Sequence, residues 1–121
     1  MNKKNFKKTI LIDLDGVLNT YDGNFDINFI PPIKTGAKEF LEKLSENFDI
    51  KIFTTRNKLL ASKWVQQHEI DLYIQDITDH KDLCYLFIDD RCVNFNGNYN
   101  ELSRNIANFQ PWYKAEKISE N

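Results

Sequence analysis

The sequence predicts an α/β fold, a three-layer sandwich built on a mainly parallel sheet of five strands. Three observations carry that expectation. Ile10-Leu11-Ile12 is an unbroken apolar run that gives way to Asp13-Leu14-Asp15-Gly16, and a short β-branched run stopped by a glycine reads as a strand buried on both faces. Such strands belong to parallel sheets covered by helices. Further apolar runs alternate along the chain with stripes of helical period, the pattern of βαβ units. With 121 residues, 41% of them hydrophobic and 13% aromatic, the chain has the size of one domain and enough apolar surface for a core.

The elements follow in order. Residues 1–8 read as a basic, flexible leader, and strand one spans about 9–14. From Leu18 to Ile30 the chain carries Tyr21-Asp22-Gly23-Asn24, and Asp-Gly between apolar residues signals a hairpin turn, so a small β-hairpin flap is expected, ended by Pro31-Pro32. Lys34 to Asn47 reads as a helix, with Ala37, Phe40, Leu41, Leu44 and Phe48 on one apolar stripe. Strand two is Ile50 to Thr54. A second helix covers Lys58 to Glu69, turning Leu60, Ala61, Trp64 and Val65 inward. Leu72 to Ile74 is read as strand three, Cys84 to Ile88 as strand four, and Cys92 to Phe95 as a fifth, edge strand. Leu102, Ile106 and Phe109 mark a last helix stopped by Pro111, with a flexible tail over 114–121.

Composition narrows the function classes. A net charge of −2 offers no general attraction to nucleic acid or to an anionic membrane surface. Cys84 and Cys92 lack CxxC spacing and read as reduced thiols. The basic start leads into a strand rather than an apolar leader, and no apolar stretch is long enough to span a bilayer. A cytoplasmic location is expected.

The chemistry gathers where strands end. Strand one ends in Asp13 and Asp15, strand two in Thr54-Thr55-Arg56-Asn57, and strand four in Asp89-Asp90-Arg91, with Lys81 eight residues before Asp89. In open parallel sheets, sites lie beyond the carboxyl ends of the strands, so parallel pairing would bring these groups to one edge. Like charges about 4 Å apart repel by roughly 4 kcal/mol at an effective dielectric constant of about 20. One lysine does not offset four carboxylates. Either some of them stay protonated or a divalent cation binds, and an all-oxygen set suits Mg²⁺. A cation, a lysine and a hydroxyl around a strand-end carboxylate make a phosphoryl-transfer site.

Asp13-Leu14-Asp15-Gly16-Val17-Leu18, Thr54 after its apolar strand, Lys81, and Ile88-Asp89-Asp90 resemble, in order, the four motifs of the haloacid dehalogenase superfamily. The resemblance covers residues 9–108 and is strongest to small capless members. It implies a Rossmann-like sheet and a Mg²⁺-dependent phosphomonoesterase. Asp13 would be the nucleophile, forming an aspartyl-phosphate. Asp15 would act as general acid and then as base. Thr54 would hydrogen-bond the phosphoryl oxygens and Lys81 would neutralise charge. Mg²⁺ would be held by Asp13, the Asp15 carbonyl and Asp89, with Asp90 and Asp89 left unranked as the direct ligand. Gly16, Thr55, Arg56 and His80 are the candidate substrate-facing positions.

Each assignment has a rival. Thr55 competes with Thr54, and Lys58, read as the solvated start of a helix, competes with Lys81. Arg56 fits the start of the second helix as well as substrate contact. Arg91 reads as a salt-bridge partner. Only 38 residues separate Asp15 from Thr54, and 26 separate Thr54 from Lys81, which leaves no room for a cap domain. The site is then open, and either a large phosphorylated substrate, such as a macromolecular end, or a second copy of the chain covers it. The alternative to an enzyme is a non-catalytic metal- or phosphoryl-binding module of the same fold. Substrate identity is not legible.

Overall fold

The computed structural model describes residues 6–114. The expected flexible ends fall largely on residues 1–5 and 115–121, outside the described residues. Lys8 belongs to the first strand. The chain divides into two compact units, Met1–Ile88 and Asp89–Asn121.

The first unit contains β1 (Lys8–Asp13), α1 (Ala37–Leu44), β2 (Phe48–Phe53), α2 (Lys58–Gln67), β3 (Asp76–Thr78) and β4 (Leu86–Ile88). All strand pairs are parallel, in the order β3-β2-β1-β4. The most apolar run, Ile10-Leu11-Ile12, lies between two neighbours and is at most 2% exposed, as a strand covered on both faces should be. The chain steps from β1 through β2 to β3 in one direction, then returns to the other side of β1 to lay down β4. Sequence order therefore reverses between β1 and β4, and a reversal of this kind marks where α/β sheets bind ligands.

Helices α1 and α2 pack on one face of the sheet, the arrangement that two right-handed crossovers in the same direction produce. Ile12, Ile50, Ile52 and Ile77 turn to that face and share a core with Ala37 and Leu41 of α1 and Ala61, Trp64 and Val65 of α2. Each fully buried aliphatic side chain contributes on the order of 1.5–3 kcal/mol. Leu11, Asp13, Phe53 and Phe87 take the opposite face by register, where the Phe53 and Phe87 rings meet edge to face at 5.1 Å. Asn57 starts α2 by accepting a hydrogen bond from the Leu60 N–H, 3.0 Å, on its side-chain oxygen.

The structure corrects several expectations. Among the described residues the sheet has four strands, not five: Cys92–Phe95 is irregular chain. Its neighbours Asn94, Asn96 and Gly97 favour turns, and Gly97 adopts a φ of 100°. Asp71–Tyr73 is a 3₁₀ turn rather than strand three. Leu72 there is 86% exposed, and the third strand is Asp76–Thr78, with Ile77 as its buried residue. Helix α1 begins only after Gly36, whose φ of 92° breaks the helical path, and Phe40 is 46% exposed, off the buried arc of Ala37 and Leu41. The flap is not a hairpin about Asp22-Gly23. The Asp22 carboxylate bonds the Asn24 N–H two residues on, a local turn with no strands paired across it. The segment is instead a loop pinned at its base by the bridge Asn19↔Ile33 and by Thr20 N–H to the Pro32 carbonyl, 3.0 Å.

The second unit contains α3 (Tyr99–Ala107), capped by the Asn98 side chain, which accepts from Glu101 N–H at 3.0 Å. Neither Cys84 in the first unit nor Cys92 in the second is in a disulfide among the described residues. No helix among the described residues is long and apolar enough to cross a membrane.

Candidate functional site at the carboxyl end of the sheet

Parallel pairing sends the four strands out at one edge. Asp13 is the last residue of β1 and pairs with Phe53, so Thr54 follows directly beside it. Phe53 pairs with Thr78, which brings Asp79 and His80 to the same edge. Ile88, the last residue of β4, is the register partner of Ile12. Asp13 and Asp89 are the next residues on their strands, and consecutive Cα atoms lie about 3.8 Å apart. Asp89 is thus the first residue after β4, at the edge where β1 ends in Asp13. Asp13, Asp89 and Asp90 are half-buried, and together they make a group that could hold a metal ion. The Asp89 carboxylate also accepts the Arg91 N–H at 2.8 Å, which turns the chain away from the sheet.

Between Asp13 and Asn19 the backbone makes a tight turn. Leu14 is fully buried, and its carbonyl accepts from Val17 N–H at 3.3 Å and Leu18 N–H at 3.0 Å. Gly16 supplies the φ of 85° that this path needs, a value that side chains with a Cβ resist. The Gly16 N–H, a candidate substrate-facing group in the sequence, points inside the turn to the Asn19 side-chain oxygen at 3.1 Å.

Asn19 is a site residue that sequence reasoning missed. It is 0% exposed. Its oxygen also accepts the Tyr21 N–H at 3.0 Å, and its amide nitrogen donates to Asp15 Oδ1 at 3.1 Å. The signal was available: a lone amide closing the apolar stretch Val17-Leu18 needs a buried partner.

Asp15 has a stronger partner. Arg56 Nε donates to Asp15 Oδ2 at 2.8 Å and Nη2 to Asp15 Oδ1 at 3.1 Å, a bidentate pair. The arginine side chain is 1% exposed and that of Asp15 19%. Removing one partner of a buried pair costs on the order of 3–5 kcal/mol, because the other charge is left without compensation. The third nitrogen, Nη1, donates to the Asp26 carbonyl at 2.9 Å, and the guanidinium lies 4.4 Å from the centre of the Phe25 ring. Both residues belong to the loop over 19–33. Arg56 thus joins the end of β2 to Asp15 and to that loop. It also changes the charge balance, because Asp15 carries its own counter-ion.

Thr54 is 7% exposed. Its N–H donates to the Thr78 carbonyl at 2.9 Å, and its hydroxyl oxygen accepts the Arg56 N–H at 3.2 Å. That geometry leaves the hydroxyl hydrogen free to donate elsewhere. Thr55 is exposed. Of the two lysines, Lys58 pairs with Asp76 at 3.5 Å on the surface, as a solvated helix start should. Lys81 is exposed, with Nζ 5.9 Å from the centre of the Phe87 ring, on the sheet face that Asp13 shares. His80 is exposed and hydrogen-bonds Asp79 at 2.5 Å. With Thr54, Arg56, Asn57, Thr78 and Asp79 it lines a polar cavity of about 380 Å³ at the ends of β2 and β3.

No family model matches this chain, and neither does any curated protein. Among solved structures, a conserved protein from Bacteroides thetaiotaomicron is similar, with a TM-score of 0.57 and 19% identity over 88% of this chain and 95% of that one. A likeness at that identity shows a shared fold.

Proposed function

We propose that this chain is a Mg²⁺-dependent phosphomonoester hydrolase of the haloacid dehalogenase type, working through an aspartyl-phosphate in a cytoplasmic setting. One observation carries the reading. The parallel register of β1, β2 and β4 ends Asp13, Phe53 and Ile88 at one edge, where strand order reverses, and Thr54 and Asp89 are the next residues of the chain.

In this reading Asp13 attacks the phosphorus. A P–O bond forms to its carboxylate as the bond to the leaving oxygen breaks, and Asp15 supplies the proton that the leaving oxygen takes up. Water then attacks the aspartyl-phosphate, giving its proton to Asp15 and releasing inorganic phosphate and free Asp13. The Thr54 hydroxyl donates to a phosphoryl oxygen. Lys81 offsets negative charge on the Asp13 side of the sheet. The donor set Asp13, Asp89 and Asp90 is all carboxylate, which fits a hard cation such as Mg²⁺ better than zinc or copper. Bound there, Mg²⁺ would supply electrostatic stabilisation of the phosphoryl oxygens. The polar cavity lined by Thr78 and His80 is positioned to take the leaving group.

The test is release of phosphate from an aryl phosphate in the presence of Mg²⁺, comparing wild type with Asp13→Asn. Turnover by the wild type and none by the variant supports the reading. Equal rates end it. Mg²⁺ and phosphate binding without turnover on a broad panel of phosphomonoesters would point instead to a non-catalytic binding module.

A further inference from the structure

We infer that Arg56 is a positioning residue for the proton-transfer carboxylate: its buried guanidinium fixes the orientation of Asp15 and ties the loop at Phe25-Asp26 to it. The inference rests on the phosphomonoesterase reading and adds to it a residue that the reaction scheme leaves without a role.

Three features separate this from a surface ion pair. The fork is bidentate, with both oxygens of Asp15 engaged at 2.8 and 3.1 Å, so the plane of the carboxylate is set as well as its place. The arginine is itself held, by its third nitrogen on the Asp26 carbonyl at 2.9 Å and by the Phe25 ring against its face at 4.4 Å. Finally, Asn19 fixes the same carboxylate from the other side at 3.1 Å. A group that must meet a leaving oxygen along one line gains from such restraint, and misplacement by about 1 Å costs roughly 10²-fold in rate. Each guanidinium nitrogen donates one hydrogen bond within the protein, which uses three of the five N–H groups. This geometry gives Arg56 a task other than the substrate contact that its place after Thr54 suggests.

Arg56→Lys carries the test, because the emptied pair in Arg56→Met can unfold the chain. Lysine keeps the positive charge but is a single point of contact that cannot hold both oxygens of a carboxylate in plane. Thermal unfolding and aryl phosphate kinetics with Mg²⁺ are measured on both variants and on wild type. Arg56→Lys is expected to recover most of the unfolding temperature that Arg56→Met loses, yet to turn over at least roughly tenfold more slowly than wild type, with KM within about threefold. A merely structural role makes activity and stability recover together, which would overturn the inference. A rise in KM at constant kcat would make Arg56 a substrate-binding group and overturn it too. An inactive wild type would remove the phosphomonoesterase reading and this inference with it, a result distinct from an active wild type that tolerates lysine.

Discussion

Asn19→Ala tests whether the turn after β1 is built around one buried amide. The substitution removes three hydrogen bonds from a side chain that is 0% exposed. It leaves the Gly16 N–H, in a buried bond of 3.1 Å, without its acceptor, and an unsatisfied buried donor costs about 1–3 kcal/mol. It takes the acceptor from the Tyr21 N–H, part-buried at 3.0 Å, where the loss is about 0.5–1.5 kcal/mol because water reaches the group. It removes the amide that donates to Asp15 Oδ1, a bond to a charged group worth about 1.5–3 kcal/mol, less where solvent screens it. These terms share one side chain and are not additive, so the expected loss is about 3–5 kcal/mol. Asn19→Asp separates them. It keeps the acceptor for both N–H groups but sets a second carboxylate against Asp15, so it should lose a comparable amount, a loss that added salt relieves little because the position is buried. Urea unfolding followed by circular dichroism measures all three proteins. A loss below about 1 kcal/mol for Asn19→Ala would refute the accounting of the turn.

Other expectations follow from the same geometry. Thr54→Val keeps the shape but deprives the Arg56 N–H of its acceptor at 3.2 Å; it should cost about 1–2 kcal/mol in urea unfolding and lower kcat/KM, whereas Thr54→Ser should restore both. Gly16→Ala places a Cβ on a residue with φ of 85° and should cost on the order of 1–2 kcal/mol, again by urea unfolding. Lys81→Ala should slow aryl phosphate turnover while Lys58→Ala, which breaks only a surface pair with Asp76, leaves it unchanged; the reverse result would exchange their roles. Mg²⁺ at 100 times its dissociation constant should stabilise the wild type by about 2.7 kcal/mol in thermal unfolding, and Asp89→Asn should lose that gain if Asp89 is a ligand.

The sequence made the central strand legible because Ile10-Leu11-Ile12 is apolar on both faces, a pattern that few structures other than a covered parallel strand satisfy. Helix α2 was legible for a similar reason, its stripe of Ala61, Trp64 and Val65 matching the residues found buried. The third strand was missed because Leu72-Tyr73-Ile74 is apolar in composition, yet Leu72 is 86% exposed. Composition does not reveal which short apolar segment reaches the sheet edge when only one residue, Ile77, anchors the true strand. The flap was misread because Asp-Gly signals a turn whether or not strands flank it, and the alternating run Asn24-Phe25-Asp26-Ile27-Asn28-Phe29 after it looks like a strand, yet Phe25, Ile27 and Phe29 are all more than half exposed. At the site, the strand-end placement of Asp13 and Thr54 was readable from runs that stop. The Asp15–Arg56 pair joins residues 41 apart in sequence, and no local pattern states which cation a carboxylate will meet.

That pair changes how the charge problem should be understood. Four carboxylates and one lysine looked like a single crowded site short of positive charge. The structure gives Asp15 a cation of its own, the Arg56 guanidinium. Asp15 is matched by a guanidinium that is buried, bidentate and permanently charged, so it needs nothing from solution. Asp13, Asp89 and Asp90 make a separate group that could hold a metal ion, and the proposed cation belongs to that group. The division also gives the loop a reason to be where it is. The loop over 19–33 is tied to Asp15 because the arginine that balances this carboxylate also holds the Asp26 carbonyl and stacks on Phe25. The charge balance of Asp15 and the tie to the loop are thus consequences of one side chain, two residues past Thr54.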